Sequence, residues 1–146
     1  MKNTYVVNHI NFIDKIVKNK RQEMCNIINE KLKDVNIYDA LDIGSTSDEI
    51  YESSNYLIKN LNNISKYKSI SDQSFKNNFF SNILTKSITQ NLTRSEVDLF
   101  SSDLVISNAT IEHVGNFQNQ VNMIKNIVKL SKKFFIITTP NKFHPF

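Results

Sequence analysis

Asp42, Gly44, Ser45, Thr46, Ser47 and Asp48 crowd together at the end of the β-prone run IYDALDIG, residues 37–44. Asp72 stands near the end of a second such run, YKSISDQ (67–73), and a third, SSDLVISN (101–108), closes on Ser107 and Asn108 before Ala109, Thr110, Ile111, Glu112 and His113. Small and polar residues therefore collect just past the carboxyl ends of the candidate strands. Each type suits a definite task there. A glycine permits a tight turn and lets a ligand approach the backbone. An ionised carboxylate only accepts hydrogen bonds, which suits hydroxyl and ammonium donors. An imidazole titrates near neutrality, so His113 is the candidate general base, with a purely structural hydrogen-bonding role as the competing reading.

The same residues exclude other chemistries. Neither GxGxxG nor GxxxxGK[ST] is present, and Gly44 is the one glycine in the first turn. A pyrophosphate needs several bare backbone N–H groups at close range, so dinucleotide and ATP cofactors are disfavoured. A nucleoside ligand without phosphates asks for less: one tight turn, and acceptors for ribose hydroxyls and an ammonium. His9, His113 and His144 are scattered without a second ligand at helical spacing, so no metal site is expected. Cys25 borders a helical apolar stripe and reads as packing.

Elements that would position these groups emerge from periodicity. Ile10, Ile13, Val17, Met24 and Ile28 recur at helical steps between residues 8 and 34, opposite Lys15, Asn19, Gln22, Glu23 and Asn26. SNYLIKNL (54–61) reads as a short helix; residues 75–90 are ambiguous, with FKNNFF (75–80) uninformative and NILTKSI (82–88) a third strand candidate. Asn116 is a helix cap, and Phe117, Val121, Ile124 and Val128 mark an amphipathic helix behind it. FFIITTP (134–140) is apolar on both alternating faces, as in a covered sheet interior, with Phe134 and Phe135 expected in the core. Long crossovers favour parallel pairing in right-handed βαβ units. The expected architecture is α/β, a doubly wound, mostly parallel sheet over residues 36–146 behind an N-terminal helical segment, 1–35. Ligands in such sheets bind outside the carboxyl ends of the strands, where the chemistry-bearing residues fall.

Composition narrows the class further. The chain has 146 residues, 40% hydrophobic and 22% charged, with two glycines and two prolines, a globular profile. One cysteine fits a reducing compartment, and no apolar run approaches the roughly 18 residues that cross a bilayer, so a cytoplasmic protein without membrane association is expected. The net charge of +4 is carried by dispersed lysines, with Arg21 and Arg94 as the only arginines. Nucleic-acid readers cluster arginine for bidentate contacts, so the basic balance reads as a solvated surface and argues against a nucleic-acid partner.

DALDIGSTSDEIYESSNYL (39–57), SISDQSF (69–75), SSDLVISNATIEHVG (101–115) and FFIITTPN (134–141) together resemble, in order and spacing, the class I Rossmann-like S-adenosylmethionine-dependent methyltransferases of the type 11 kind. The resemblance covers residues 20 to 146 and is most specific from Asp103 onward. It implies a Rossmann-like fold, S-adenosyl-L-methionine as cofactor and methyl transfer to an unidentified acceptor. It places Asp42, Gly44, Ser45 and Thr46 in the glycine turn beside the methionine part of the cofactor, and Asp72 nearest the acid that accepts from the ribose hydroxyls. Ser107 and Asn108 would end the fourth strand beside the transferable methyl, with His113 at the cleft rim. Ser45, Thr46 and Ser47 stand where the family carries further glycines, and the family acid aligns with Ser71 as readily as with Asp72.

The sequence ends NKFHPF, with Phe143 and Phe146 among its last residues. Members of the family continue with further strands, so the expectation is either a fragment lacking its C-terminal strands or self-association that covers the last strand. The alternative to an enzyme is a non-catalytic binding module on the same fold, for which the glycine-poor turn argues.

Overall fold

The computed structural model describes residues 4–47 and 54–140, with side chains of the first helix from Asp14 onward. Asp48, Asn141, Phe143, His144 and Phe146, and the side chains of His9, Ile10 and Ile13, lie outside the described residues. The chain divides into two compact units, one of residues 1–36 and 48–62, the other of residues 37–47 and 63–146.

The first unit holds α1 (Thr4–Leu32) and the short α2 (Tyr56–Lys59). Within the described part of α1, Cys25 and Ile28 are buried and Val17 and Met24 half-buried. Lys15, Asn19, Gln22, Glu23 and Asn26 are exposed, as the 3.6-residue period requires. Asn29 ties the two helices together: its Nδ2 donates to the Asn60 carbonyl (3.1 Å) and its Oδ1 accepts from the Asn62 N–H (2.9 Å). The Cys25 thiol donates to the same Asn60 carbonyl (3.1 Å), and burial pushes its pKa up against the opposing hydrogen bond from Asn29, which keeps it an unreactive thiol.

The second unit is built on five strands: β1 (Asp39–Ile43), β2 (Lys66–Ser71), β3 (Asn82–Thr85), β4 (Ser102–Asn108) and β5 (Ser131–Thr138). All pair in parallel in the order β3-β2-β1-β4-β5. The order reverses between β1 and β4, so the fold is α/β, doubly wound and Rossmann-like. Helices α3 (Arg94–Phe100) and α4 (Phe117–Leu130) flank the sheet. Leu41, Ile43, Ile70 and Val105 from the strands join Phe100 of α3 and Met123, Ile127 and Leu130 of α4 in one buried apolar cluster. Among the described residues no helix is long and apolar enough to cross a membrane.

Three sequence expectations are corrected. Between β3 and β4 lies a helix, α3, where periodicity indicated none; its start is fixed by a capping box in which Thr93 Oγ1 accepts from the Glu96 N–H (3.2 Å) and Glu96 Oε2 from the Thr93 N–H (2.7 Å). On α4 the buried side chains are Met123, Ile127 and Leu130, whereas Phe117 is 79% and Val128 52% exposed. The helix carries two interleaved apolar stripes, and packing selects the one centred on Met123. The last strand starts at Ser131 rather than Phe134, and it forms an edge of the described sheet. Phe134 and Phe135 are accordingly 42% and 48% exposed rather than core.

Candidate ligand site at the carboxyl edge of the sheet

A cavity of about 370 Å³ opens at the carboxyl ends of the strands. Its size is that of a small-molecule site. Gly44 follows β1, Asp72 and Gln73 follow β2, Ser87, Ile88 and Thr89 follow β3, and Ala109, Thr110 and His113 follow β4, all lining the cavity. Parallel pairing is what gathers them, since every strand delivers its following residues to the same edge.

Gly44 is required by its surroundings. Its φ is +90, and a Cβ there would lie 2.7 Å from Thr110 Cγ2 and closer still to Thr110 Oγ1. The turn therefore presents bare backbone to the cavity. The Gly44 N–H donates to the Ile70 carbonyl (2.9 Å), which closes the turn onto β2. Ile70 and Ile88 give the cavity apolar walls, and Asp72 is exposed at its edge. No described residue pairs with the Asp72 carboxylate, so its acceptor oxygens are available to a ligand. The other charged wall residue, Lys86, is neutralised: its Nζ donates to both carboxylate oxygens of Glu96 (2.8 and 2.9 Å). The Lys86 ammonium and the Thr93 backbone N–H together hold Glu96 below the usual carboxylate range. Ser87 and Thr89 hydroxyls share a hydrogen bond of 2.9 Å.

His113 is exposed at the end of a single 3₁₀ turn, Ile111–His113, with Nε2 3.9 Å from Glu112 Oε1. Asn119 Nδ2 donates to the Val114 carbonyl (2.8 Å), and Asn116 Oδ1 accepts from the Asn119 N–H (3.0 Å), so the cap of α4 braces the segment that carries the imidazole.

Gly44, Asp72 and His113 thus share one cavity, while Asp42, Ser45, Thr46, Ser107 and Asn108 do not line it. Asp42 points to the opposite face of β1 from Ile43, because side chains alternate along a strand. Its carboxylate accepts from Ser45 Oγ, which in turn accepts from Ser69 Oγ (2.8 Å). Ser71 Oγ donates to the Ser45 carbonyl (2.7 Å). With no cation beside it, burial pushes the Asp42 carboxyl up to about 6, against the opposing hydrogen bond from Ser45. Ser45 is buried in this network and Thr46 half-buried. A serine is thus accommodated after Gly44 because its side chain turns away, into the sheet. Ser107 Oγ is buried without a hydrogen-bond partner among the described residues, and Asn108 Oδ1 accepts from Thr138 Oγ1 (2.6 Å). Ser71 is buried and spent on Ser45, which leaves the exposed Asp72 as the acid at the cavity.

The wall after β3 departs from the sequence expectation. The expected strand runs to Ile88 and would hide Lys86 to Ile88 inside the sheet, whereas β3 stops at Thr85. Among the described residues no group of three His, Cys, Asp or Glu side chains is placed to hold a metal ion.

No family model matches the chain, and no curated protein matches it.

Proposed function

We propose that this cavity binds S-adenosyl-L-methionine and that the chain is an S-adenosylmethionine-dependent methyltransferase. The observation that carries the reading is the convergence of Gly44, Asp72 and His113 on one cavity at the switch point of a doubly wound sheet. The residues fit the cofactor's chemistry. Asp72 offers two acceptor oxygens to a pair of ribose hydroxyls, Ile70 and Ile88 offer apolar surface to a flat base, and the Gly44 turn admits a chain carrying an ammonium. The absence of further glycines is consistent with a ligand that has no pyrophosphate.

The cofactor supplies an electrophilic methyl group on a sulfonium. What the protein contributes is alignment of that methyl with an attacking atom of the acceptor. His113, exposed at the rim beside Glu112, would take the proton that a hydroxyl acceptor must lose.

Isothermal titration with S-adenosylmethionine and with its demethylated product tests the proposal. Saturable one-to-one binding is expected, weakened roughly 10-fold or more by Asp72→Ala, since a hydrogen bond to a charged group is at stake. Absence of both heat and thermal shift with either compound overturns it and leaves a non-catalytic binding module on the same fold. With an acceptor in hand, His113→Ala should lower kcat while leaving cofactor binding unchanged.

A further inference from the structure

A line of contacts runs across the carboxyl edge of the sheet beneath the cavity and ends outside it. At its outer end, Thr138 Oγ1 donates to Asn108 Oδ1 (2.6 Å) and the Thr138 carbonyl accepts from the Ala109 N–H (3.0 Å). Asn108 and Thr138 are the last paired residues of the β4–β5 ladder. Immediately beyond them Ala109 adopts φ 52, the left-handed region that a residue with a Cβ holds only when its surroundings fix it. That conformation delivers Thr110 across the edge to β1. Thr110 Oγ1 lies 3.2 Å from the Ile43 carbonyl and 3.3 Å from the Asn108 carbonyl, donating between them, and its side chain fills the space a Gly44 Cβ would need. Gly44 in turn is bonded to Ile70 on β2.

The two turns that form the cavity wall are therefore held against each other by Thr110, and Thr110 is held in place from β5. Thr138 does not line the cavity. We propose that Thr138 is a positioning residue for the ligand site: through Asn108 and Ala109 it fixes Thr110 against Gly44, and so sets the shape of the turn that a ligand meets. Strand pairing reaches Ala109 through its N–H bond to the Thr138 carbonyl, which any residue at position 138 retains; the hydroxyl adds the bond that fixes the Asn108 side chain.

Two variants and two readouts test the proposal. Thr138→Val keeps size and the backbone carbonyl but removes the hydroxyl; Thr138→Ser restores the hydroxyl. In the ligand-free chain, Thr138→Val should accelerate amide hydrogen exchange at Ala109 and Gly44 by roughly five- to tenfold, the loss of one hydrogen bond. Amides of Leu41 and Val105 should keep their rates, and Thr138→Ser should match the parent protein throughout. Affinity for S-adenosylmethionine should fall by a similar factor in Thr138→Val alone; this second readout rests on the function proposed above. Unchanged exchange at Gly44, uniform acceleration across the core, or a serine variant that behaves like the valine one would each overturn the role of Thr138. Failure of the parent protein to bind S-adenosylmethionine, with Gly44 exchange still responding to Thr138→Val, overturns the cofactor reading and upholds the positioning role.

Discussion

Asp39 opens β1 and Asp42 is its last residue but one, both buried, and their environments are opposite. At the amino end burial pushes Asp39 up, but Lys68 Nζ at 2.7 Å and the Asp103 N–H at 2.8 Å outweigh it, and the carboxyl sits below its ordinary range. Lys68 also donates to the Ser101 carbonyl (2.9 Å), so the buried ammonium is shared. At the carboxyl end Asp42 has hydroxyl company and no cation, and burial raises it to about 6. The amino end is closed and electrically matched. At the carboxyl edge, by contrast, Asp42 lacks a counter-charge, Gly44 and Ala109 take positive φ, and Ser107 Oγ has no partner among the described residues. Gly44 and Ala109 line the cavity and Asp42 and Ser107 lie outside it, so the departures from ordinary local preference gather at the same edge of the sheet as the cavity.

Removing Lys68 should have the largest effect. Lys68→Ala leaves Asp39 buried without its cation, which costs about 3–5 kcal/mol. The pH dependence gives the sign. A carboxyl lowered on folding adds stability above its unfolded pKa and loses it as pH falls through the folded value, so the deficit of the variant should shrink at acid pH. Urea unfolding at pH 7 and at about pH 2 measures both quantities, since the carboxyl is lowered from 3.8 and its contribution is lost below that pH; an equal deficit at the two pH values would mean that packing, not charge, holds this end.

Asp42→Asn should act in the other direction. A carboxyl raised from 3.8 to about 6 favours the protonated folded state, so its penalty is absent below 3.8, accumulates as pH rises to 6 and is complete above that. The asparagine variant should gain about 3 kcal/mol at pH 7 and nothing at pH 3.5, on the scale of about 1.4 kcal/mol per pKa unit. A variant that is less stable at pH 7 would break the contrast between the two aspartates.

The cationic partners of Asp39 and Asp103 were not legible in the sequence. Lys68 lies 29 positions from Asp39, and Lys133 30 from Asp103; pairing of that kind is a product of strand register. The parallel sheet was legible, since DLVIS and FFIIT read as apolar strand runs and the intervening lengths demand crossovers, although the edge strand leaves Phe134 and Phe135 exposed. The gathering of Gly44, Asp72 and His113 came from that architecture alone. What periodicity missed was local or competitive. The seven residues of α3 are too few to show a stripe, though Thr93 and Glu96 spelled its capping box. On α4 both the Phe117–Val121–Ile124–Val128 and the Met123–Ile127–Leu130 sets fit a helix, and only the position of the sheet selects between them.

Ser45→Ala sharpens the comparison at smaller scale. It removes the hydroxyl that donates to Asp42 and the acceptor of Ser69, so it should cost about 1–2 kcal/mol at pH 7. Because that hydrogen bond holds the Asp42 carboxyl down, the upper end of the pH-dependent range of stability should move upward from about 6. A stability–pH profile whose upper end is unmoved would show that burial alone sets the Asp42 proton.

The smallest effect belongs to Lys133→Ala. Lys133 Nζ meets Asp103 Oδ2 at 2.9 Å, but its side chain is 42% exposed, so solvent screens the pair. Asp103 is held below its ordinary range first by the Tyr38 N–H at 2.9 Å and only then by Lys133. The backbone donor survives the substitution, and the expected loss is below about 1 kcal/mol and absent at high salt. Thermal unfolding at low and high ionic strength measures it. A loss as large as that of Lys68→Ala, persisting in salt, would show that the amino edge depends on every ammonium regardless of depth; a small, salt-sensitive loss assigns its strength to the one pair that burial isolates.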